Sequence, residues 1–446
     1  MASPPPTPSK LVPTKSEWRF CPVAAPTEWI EDYHPGKFLP VHFGDQFKDG
    51  RYRIIRKLGT ILHLFLRSKK HYIFASANMY NRMKCYVALK VLTAQSTGSD
   101  TESSILEYLA QNTFPHPGKD HVIFLKDYFK HQGPNGEHGC LVFEAMGPSI
   151  ATVVERLPKE LLSKISPKHR YPNWMARSIL QQALLGIEFL HQIGIAHGDV
   201  QPGNLLFVAK DLEFVEETRL SQKYVMPESM VPIKRQDGKI DRWAPRYLAL
   251  NQPLMEFVEL DYNFVIKISD MGGGVFDSLQ VQIFNEFLLT NRPPKSLVTP
   301  VGLRSPETIL KEVPTSSQDI WSFGCLVFEL ITGRPLFAVD NTGDENETND
   351  DHFLQLHSTL GPIPRDILSK WTNSDVYFNS TGENIKSYIG ELPNGFDVNE
   401  LEHQPTLEEL FDQVKPAEID EEESKQIMYI LRWILQYDAD LHRRIF

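Results

Sequence analysis

The sequence is short of cysteine, of long apolar runs and of positive charge. Its 446 residues hold four cysteines, Cys21, Cys85, Cys140 and Cys325. None stands in CxxC spacing, which excludes a disulfide framework and a clustered zinc site as organising devices. The most apolar stretch near the front, "TILHLFL" at 60–66, runs into "RSKK", far short of the roughly 18 apolar residues that span a bilayer, so no membrane partner is expected. The opening "MASPPPTPSK" has no charged region followed by an apolar core, and the chain reads as soluble and intracellular, in cytoplasm or nucleus. With 46 basic against 57 acidic residues the formal charge is −11, which argues against direct nucleic-acid binding and favours a basic partner. What the chain does have is core material: 41% hydrophobic and 11% aromatic residues, enough for two or three compact units. A monomer is expected.

Residues 1–45 are rich in proline and lack helical periodicity, and read as an irregular arm. "RYRIIRKLG" and "CYVALKVL" alternate like strands. "SDTESSILEYLAQN" (99–112) carries Ile105, Leu106 and Leu109 on one helical face, with Ser99 or Asp100 as candidate N-cap. "GPNGE" between two apolar runs is a hairpin signal through its Asn-Gly pair. From Asn173 the period changes to 3.6: Met175, Ile179, Leu180, Leu184, Ile187 and Leu190 form one stripe, stopped at Gly194. Strands first and helices later make an α+β arrangement. The expected division is a β-rich small lobe over 46–145 and a larger, mainly helical lobe over 146–446 with an insert at 208–262.

Phosphoryl transfer needs a cation on the phosphates, a carboxylate to orient the nucleophile and oxygen ligands for Mg²⁺, because its catalysis is mostly positioning and charge stabilisation. The sequence offers each in order. Lys90 ends "VALK", and Glu102 follows twelve residues later on a helix, with Glu107 as its rival. "GIAHGDVQPGNLLF" (194–207) gives Asp199 and Asn204 in D-x-x-x-x-N spacing. "IKISDMGGG" sets Asp270 between an apolar strand and glycines, where a metal-binding carboxylate belongs.

This set resembles the eukaryotic protein kinases over about residues 50–446. "LRSPET" is similar to their A-P-E motif, with Glu307 its carboxylate, and "SQDIWSFGCLVFELITGRPLF" to their D-x-W-S-x-G helix, with Asp319 near its start. Within them the chain most resembles the SR-protein kinases of the CMGC group, in a fungal branch, through "YHPGKFLPVHFGDQFKDGRYRIIRKLG", "HGD", Arg304 and "KIDRWAPRYLALNQPL". The resemblance implies a bilobal protein-kinase fold and transfer of the γ-phosphate of ATP, with Mg²⁺, to Ser or Thr of a protein substrate, with Arg-Ser-rich proteins as the guessed class. It assigns Asp199, Lys90 and Glu102 to catalysis, Gly59, Lys90, Glu144, Met146, Asn204 and Asp270 to ATP, and Asn204 and Asp270 to the metal. His197 and Asp319 read as structural supports of the loop.

Departures from the family pattern sharpen the expectations. Of the glycine-rich loop that lets backbone N–H groups approach phosphate, only Gly59 is present, and 60–84 is an atypical roof hairpin. A shifted exon in the gene or a true loss of the loop both explain it. Gly198 replaces an Arg that in many kinases reads a phosphorylated activation loop, so activity independent of that phosphorylation is implied. Gln201 replaces a Lys, leaving a dipole where a charge usually sits and predicting slower chemistry. "HGDVQPGN" also resembles aminoglycoside and choline phosphotransferases, which lack S-P-E and D-x-W-S-x-G. A small-molecule kinase and a pseudokinase scaffold therefore stand as alternatives. The acidic runs 340–351 and 418–424 read as solvated surface.

Overall fold

A computed structural model describes residues 18–61, 70–78, 84–98, 101–158, 170–276, 298–312, 315–340, 342–391 and 404–439. The chain divides into two compact units, the first made of Met1–Asn112, Ile123–Pro148 and Leu206–Val265, the second of Thr113–Val122, Ser149–Leu205 and Ile266–Phe446. The architecture is α+β, a sheet unit and a mainly helical unit.

The first unit is built on a six-stranded sheet of β1 (Gln46–Phe47), β2 (Tyr52–Ile61), β3 (Lys70–Asn78), β4 (Lys84–Val91), β5 (Asp127–Gly133) and β6 (Gly136–Glu144), in the order β1-β2-β3-β4-β6-β5. Every neighbouring pair is antiparallel. Strand side chains alternate between faces, and β4 uses both. Val87, Leu89 and Val91 join Leu39, Phe47, Tyr52, Ile54, Cys140 and Val142 in one buried cluster. Tyr86 faces the other way, with Ile55, Leu212, Leu220 and Leu254. Lys90 shares that second parity. The predicted hairpin forms, with Gly133 paired to Gly136 across Pro134 and Asn135. Part of the atypical 60–84 segment is regular: β3 pairs with β2 on one side and with β4 on the other.

The arm and the insert differ from their sequence reading. Phe20, Ile30, Tyr33 and Phe38 of the arm share a buried cluster with Ala244 and Leu248 of the insert, and 206–265 groups with the sheet, not with the helices. Strand β2 carries much of the attachment. Buried Arg56 donates to the carbonyls of Leu220 at 2.8 Å and Arg219 at 3.1 Å, so a cation caps the C-terminal end of a short insert helix. Lys57 N donates to Gln222 Oε1 at 2.9 Å, and Gln252 N donates to Lys57 O at 2.8 Å. Its ammonium pairs with Glu28 of the arm and donates to Ala249 O at 2.9 Å. Glu28 in turn accepts from Tyr33 Oη at 2.7 Å. The insert therefore satisfies strand N–H and C=O groups that an uncovered edge would leave unpaired.

In the second unit the helix Asn173–Gln192 buries Met175, Ile179, Leu180, Ile187 and Leu190, with Leu184 half-buried, as the 3.6 period predicted. Its chain turns at Gly194 with φ +76°. The helix Ser316–Thr332 is buried along almost its whole length. Thr315 caps it through Ser317 N, and Gly333 ends it at φ +75°. The acidic run 340–351 is only partly a surface loop: Asp344 caps a helix Glu345–Leu360 whose first turn holds Glu345 and Glu347, where negative charge is favourable. Within it Asp350 is buried and accepts from Trp371 Nε1 at 2.7 Å, Asn373 Nδ2 at 2.8 Å and Tyr377 Oη at 3.3 Å. The run 418–424 likewise starts the helix Glu421–Ile434, capped by Asp420.

His352 of the helix Glu345–Leu360 is fully buried against Phe337, and neither ring nitrogen has a partner among the described residues. Burial first, and the charge of Arg304 second, push it down to about 3 from the usual 6.5. Because the unfolded chain takes up the proton first, stability is lost as pH falls through 6.5 toward that value, by about 2 kcal/mol from this group alone at pH 5. His352→Leu is expected to lose that much less stability than wild type between pH 7 and pH 5, measured by urea unfolding. Identical pH slopes for the two proteins would contradict it.

Candidate active site

Each unit holds its own part of the predicted set. In the first, Lys90 lies on β4 opposite Leu141 of β6, and its ammonium pairs with Glu102 of the helix Thr101–Gln111. Both are buried, at 0% and 1% exposure, whereas Glu107 is exposed. The helix turns Glu102, Ile105, Leu106 and Leu109 inward together, so the apolar stripe itself selects Glu102 over its rival. The candidate cap residues Ser99 and Asp100 lie outside the described residues. Gly59 pairs with Tyr72 in β2, next to a register shift between Lys57 and Gly59. Glu144 closes β6 opposite Val87, Phe143 is buried opposite Ala88, and Met146 follows, also buried.

In the second unit the loop Gly194–Asn204 is held by a closed set of hydrogen bonds. Asp319, fully buried at the start of its helix, accepts from His197 N and Gly198 N, each at 2.7 Å, and from His191 Nε2 at 2.8 Å. Asp199 N donates to His197 Nδ1 at 3.2 Å, which leaves the proton on Nε2, and this donates to Ser269 O at 3.1 Å. His197 is thereby a brace whose two ring nitrogens are both occupied. Gly198 adopts φ +71°, and a Cβ there would stand 2.3 Å from Gly273 O, so glycine is required by both conformation and space. The hydroxyl of Thr299 donates to Gly198 O at 2.6 Å.

The Asp199 carboxylate, 2% exposed, is held on both oxygens: Gln201 Nε2 donates to Oδ1 at 2.6 Å and Asn204 Nδ2 to Oδ2 at 2.9 Å. Asn204 Nδ2 also reaches Asp199 O at 2.9 Å. Asn204 is tied to the strand before Asp270 through its carbonyl, which accepts from Ser269 N at 2.8 Å and Ser269 Oγ at 2.9 Å. Asp270 sits in the left-handed region at φ 66°, accepting from Gly272 N at 3.2 Å. A non-glycine residue in that region is strained, and such strain concentrates at functional sites.

The donor set suits a hard cation. With its Nδ2 committed to Asp199, Asn204 offers a carbamoyl oxygen, and Asp270 offers a carboxylate. Among the described residues no group of three or more His, Cys, Asp or Glu side chains could cage a metal. One or two oxygen ligands, completed by water and phosphate, is the pattern Mg²⁺ takes.

Glu307 is buried, accepts from Ser317 Oγ at 3.0 Å, and burial holds its carboxyl above the usual range. Residues 62–69, 277–297 and 440–446 lie outside the described residues. Sequence reasoning missed two things here: the bond from Gln201 to Asp199 and the Thr299 strut. Gln201 was within reach of inference, since a side chain two residues from Asp199 and just before a proline turn has few directions to take.

A family description, "Protein kinase domain", matches residues 76–244 and 258–443. The chain is 26% identical to the serine/threonine-protein kinase SRPK of Physarum polycephalum, over 93% of this chain and 88% of that protein. It is 29% identical to protein kinase dsk1 of Schizosaccharomyces pombe, over 80% and 74%. The crystal structure of a kinase domain, 21% identical, covers 90% of this chain and 94% of that one with a TM-score of 0.54, a likeness of fold. No helix among the described residues is long and apolar enough to cross a membrane. A match over most of its length, on a chain whose two units carry the Lys90–Glu102 pair and the braced Asp199 loop, places the protein in the protein kinase family.

Proposed function

We propose that this chain is a serine/threonine protein kinase that transfers the γ-phosphoryl group of Mg-ATP to Ser or Thr hydroxyls, with Arg-Ser-rich proteins as substrates, inside the cell. The observation that carries the reading is the buried Asp199 carboxylate, gripped on both oxygens by the Gln201 and Asn204 amides. In this mechanism Asp199 orients the attacking hydroxyl and accepts its proton as the new oxygen–phosphorus bond forms and the bond from the γ-phosphorus to the bridging oxygen breaks, releasing ADP. Lys90, fixed by Glu102, presents its charge to the α- and β-phosphates. Mg²⁺, when bound, neutralises charge developing on the phosphates. Asn204 and Asp270 would hold it. Glu144 and Met146 offer main-chain groups to the adenine edge, and Gly59 is the glycine left in the strand that would cover the phosphates. Net charge −11 favours a basic substrate through steering.

The test is incorporation of phosphate from Mg-ATP into three acceptors: an Arg-Ser peptide, its Ser→Ala counterpart, and an aminoglycoside or choline. The expected result is phosphoserine in the first alone. Labelling only of the small molecule would replace the proposal with a small-molecule phosphotransferase, and nucleotide binding with no transfer to any acceptor would replace it with a scaffold.

A further inference from the structure

Gln201 stands where the family resemblance implies a lysine, and the sequence treats it as a loss of charge. We propose that it is a positioning residue: its amide locks the Asp199 carboxylate in one orientation, so that this chain retains by hydrogen bonding part of what it lacks in charge. The inference rests on the kinase reading for its catalytic consequence, while the lock itself stands on geometry.

A carboxylate's last torsion is broad and two-fold, and a single donor on one oxygen leaves it free to swing. Here different side chains hold the two oxygens, Gln201 Nε2 on Oδ1 at 2.6 Å and Asn204 Nδ2 on Oδ2 at 2.9 Å. The two donors are themselves in register. Asn204 N donates to Gln201 O at 3.0 Å across the turn Pro202–Asn204. Gln201 is extended, at φ −151° and ψ 161°, the conformation a following proline enforces. From that backbone the side chain reaches back to Asp199. The main chain beneath is pinned as well, Asp199 N on His197 Nδ1 and Gly198 N on Asp319. Gln201 supplies the half of the grip that opposes Asn204, and removing its amide takes that donor from Oδ1. A misplacement of about 1 Å at a reacting group can cost on the order of a hundredfold.

Three proteins test it: wild type, Gln201→Leu, which keeps the bulk and loses the donor, and Gln201→Lys, which keeps a donor and adds charge. Steady-state rates on an Arg-Ser peptide are expected to show kcat about 10- to 100-fold lower in the Leu variant. KM for ATP and calorimetric ATP affinity should stay within about twofold. The Lys variant should equal or exceed wild type. A Leu variant with wild-type kcat, or Leu and Lys variants equally impaired, would overturn the proposal. Crystal structures of wild type and Gln201→Leu give a readout independent of turnover. The Asp199 carboxylate should rotate away from its wild-type orientation, and an unmoved carboxylate would defeat the lock even in an active enzyme. If wild type shows no more transfer than Asp199→Ala but the carboxylate rotates, the lock holds and the kinase reading fails.

Discussion

Replacing Asp199 with Ala is expected to lower turnover by about 10²- to 10⁴-fold, the range that removal of a positioned acid–base group covers. ATP affinity, which the resemblance assigns to other residues, should change little. The reason lies in the environment of the carboxylate. It is 2% exposed and receives two amide hydrogen bonds, which fix its orientation toward an incoming hydroxyl. Truncation also takes the carboxylate acceptor from the Gln201 amide and leaves Asn204 Nδ2 with the Asp199 carbonyl, and Asp199→Asn, which keeps the shape, is the necessary companion. Both variants should lose transfer, and thermal melts should show the Asn variant folded. An Asp199→Ala rate equal to wild type would take this residue out of the chemistry.

Lys57→Met is expected to destabilise the protein by about 3–5 kcal/mol, the usual cost of stranding one member of a buried ion pair. The Lys57 and Glu28 side chains are 8% and 3% exposed. Burial pulls the Lys57 ammonium below the usual lysine range, outweighing the opposing pull of the Glu28 charge and hydrogen bond. By that sign the pair specifies geometry more than it adds net stability: it ties arm, strand and insert at one point. The double variant Glu28→Gln with Lys57→Met should therefore recover much of the loss, since the stranded charge is gone. Denaturant unfolding of the four proteins reads this cycle directly. Additive losses would show that the two groups act separately.

The sequence made local features plain and left distant ones hidden, for physical reasons that particular residues display. The stripe from Met175 to Leu190 predicted a helix because its pattern repeats within the segment. The turn at Pro134 and Asn135 was announced by its own residues. Asp199 and Asn204 were legible because their spacing is short and fixed. By contrast, Asp350 sits in a run that looks like solvated charge, and its burial depends on Trp371, Asn373 and Tyr377, which no local pattern connects to it. The arm and the insert lack periodicity, and their anchors are far apart in sequence: Glu28 to Lys57 to Ala249, Arg19 to Asp241. Gln201 fell between these cases, since its substitution was visible while the bond it makes required the fold of the turn.

The shared core of arm, sheet and insert has a consequence for how the chain is made. The sheet's last partners, Ala249, Gln252 and Leu254, lie more than a hundred residues past β6, so the first unit is not contiguous in sequence. Emerging from a ribosome, its strands must wait uncapped while 149–205 is synthesised and only then receive their cover. Contacts of such long range slow folding and prolong the exposure of this unit's apolar surface during synthesis.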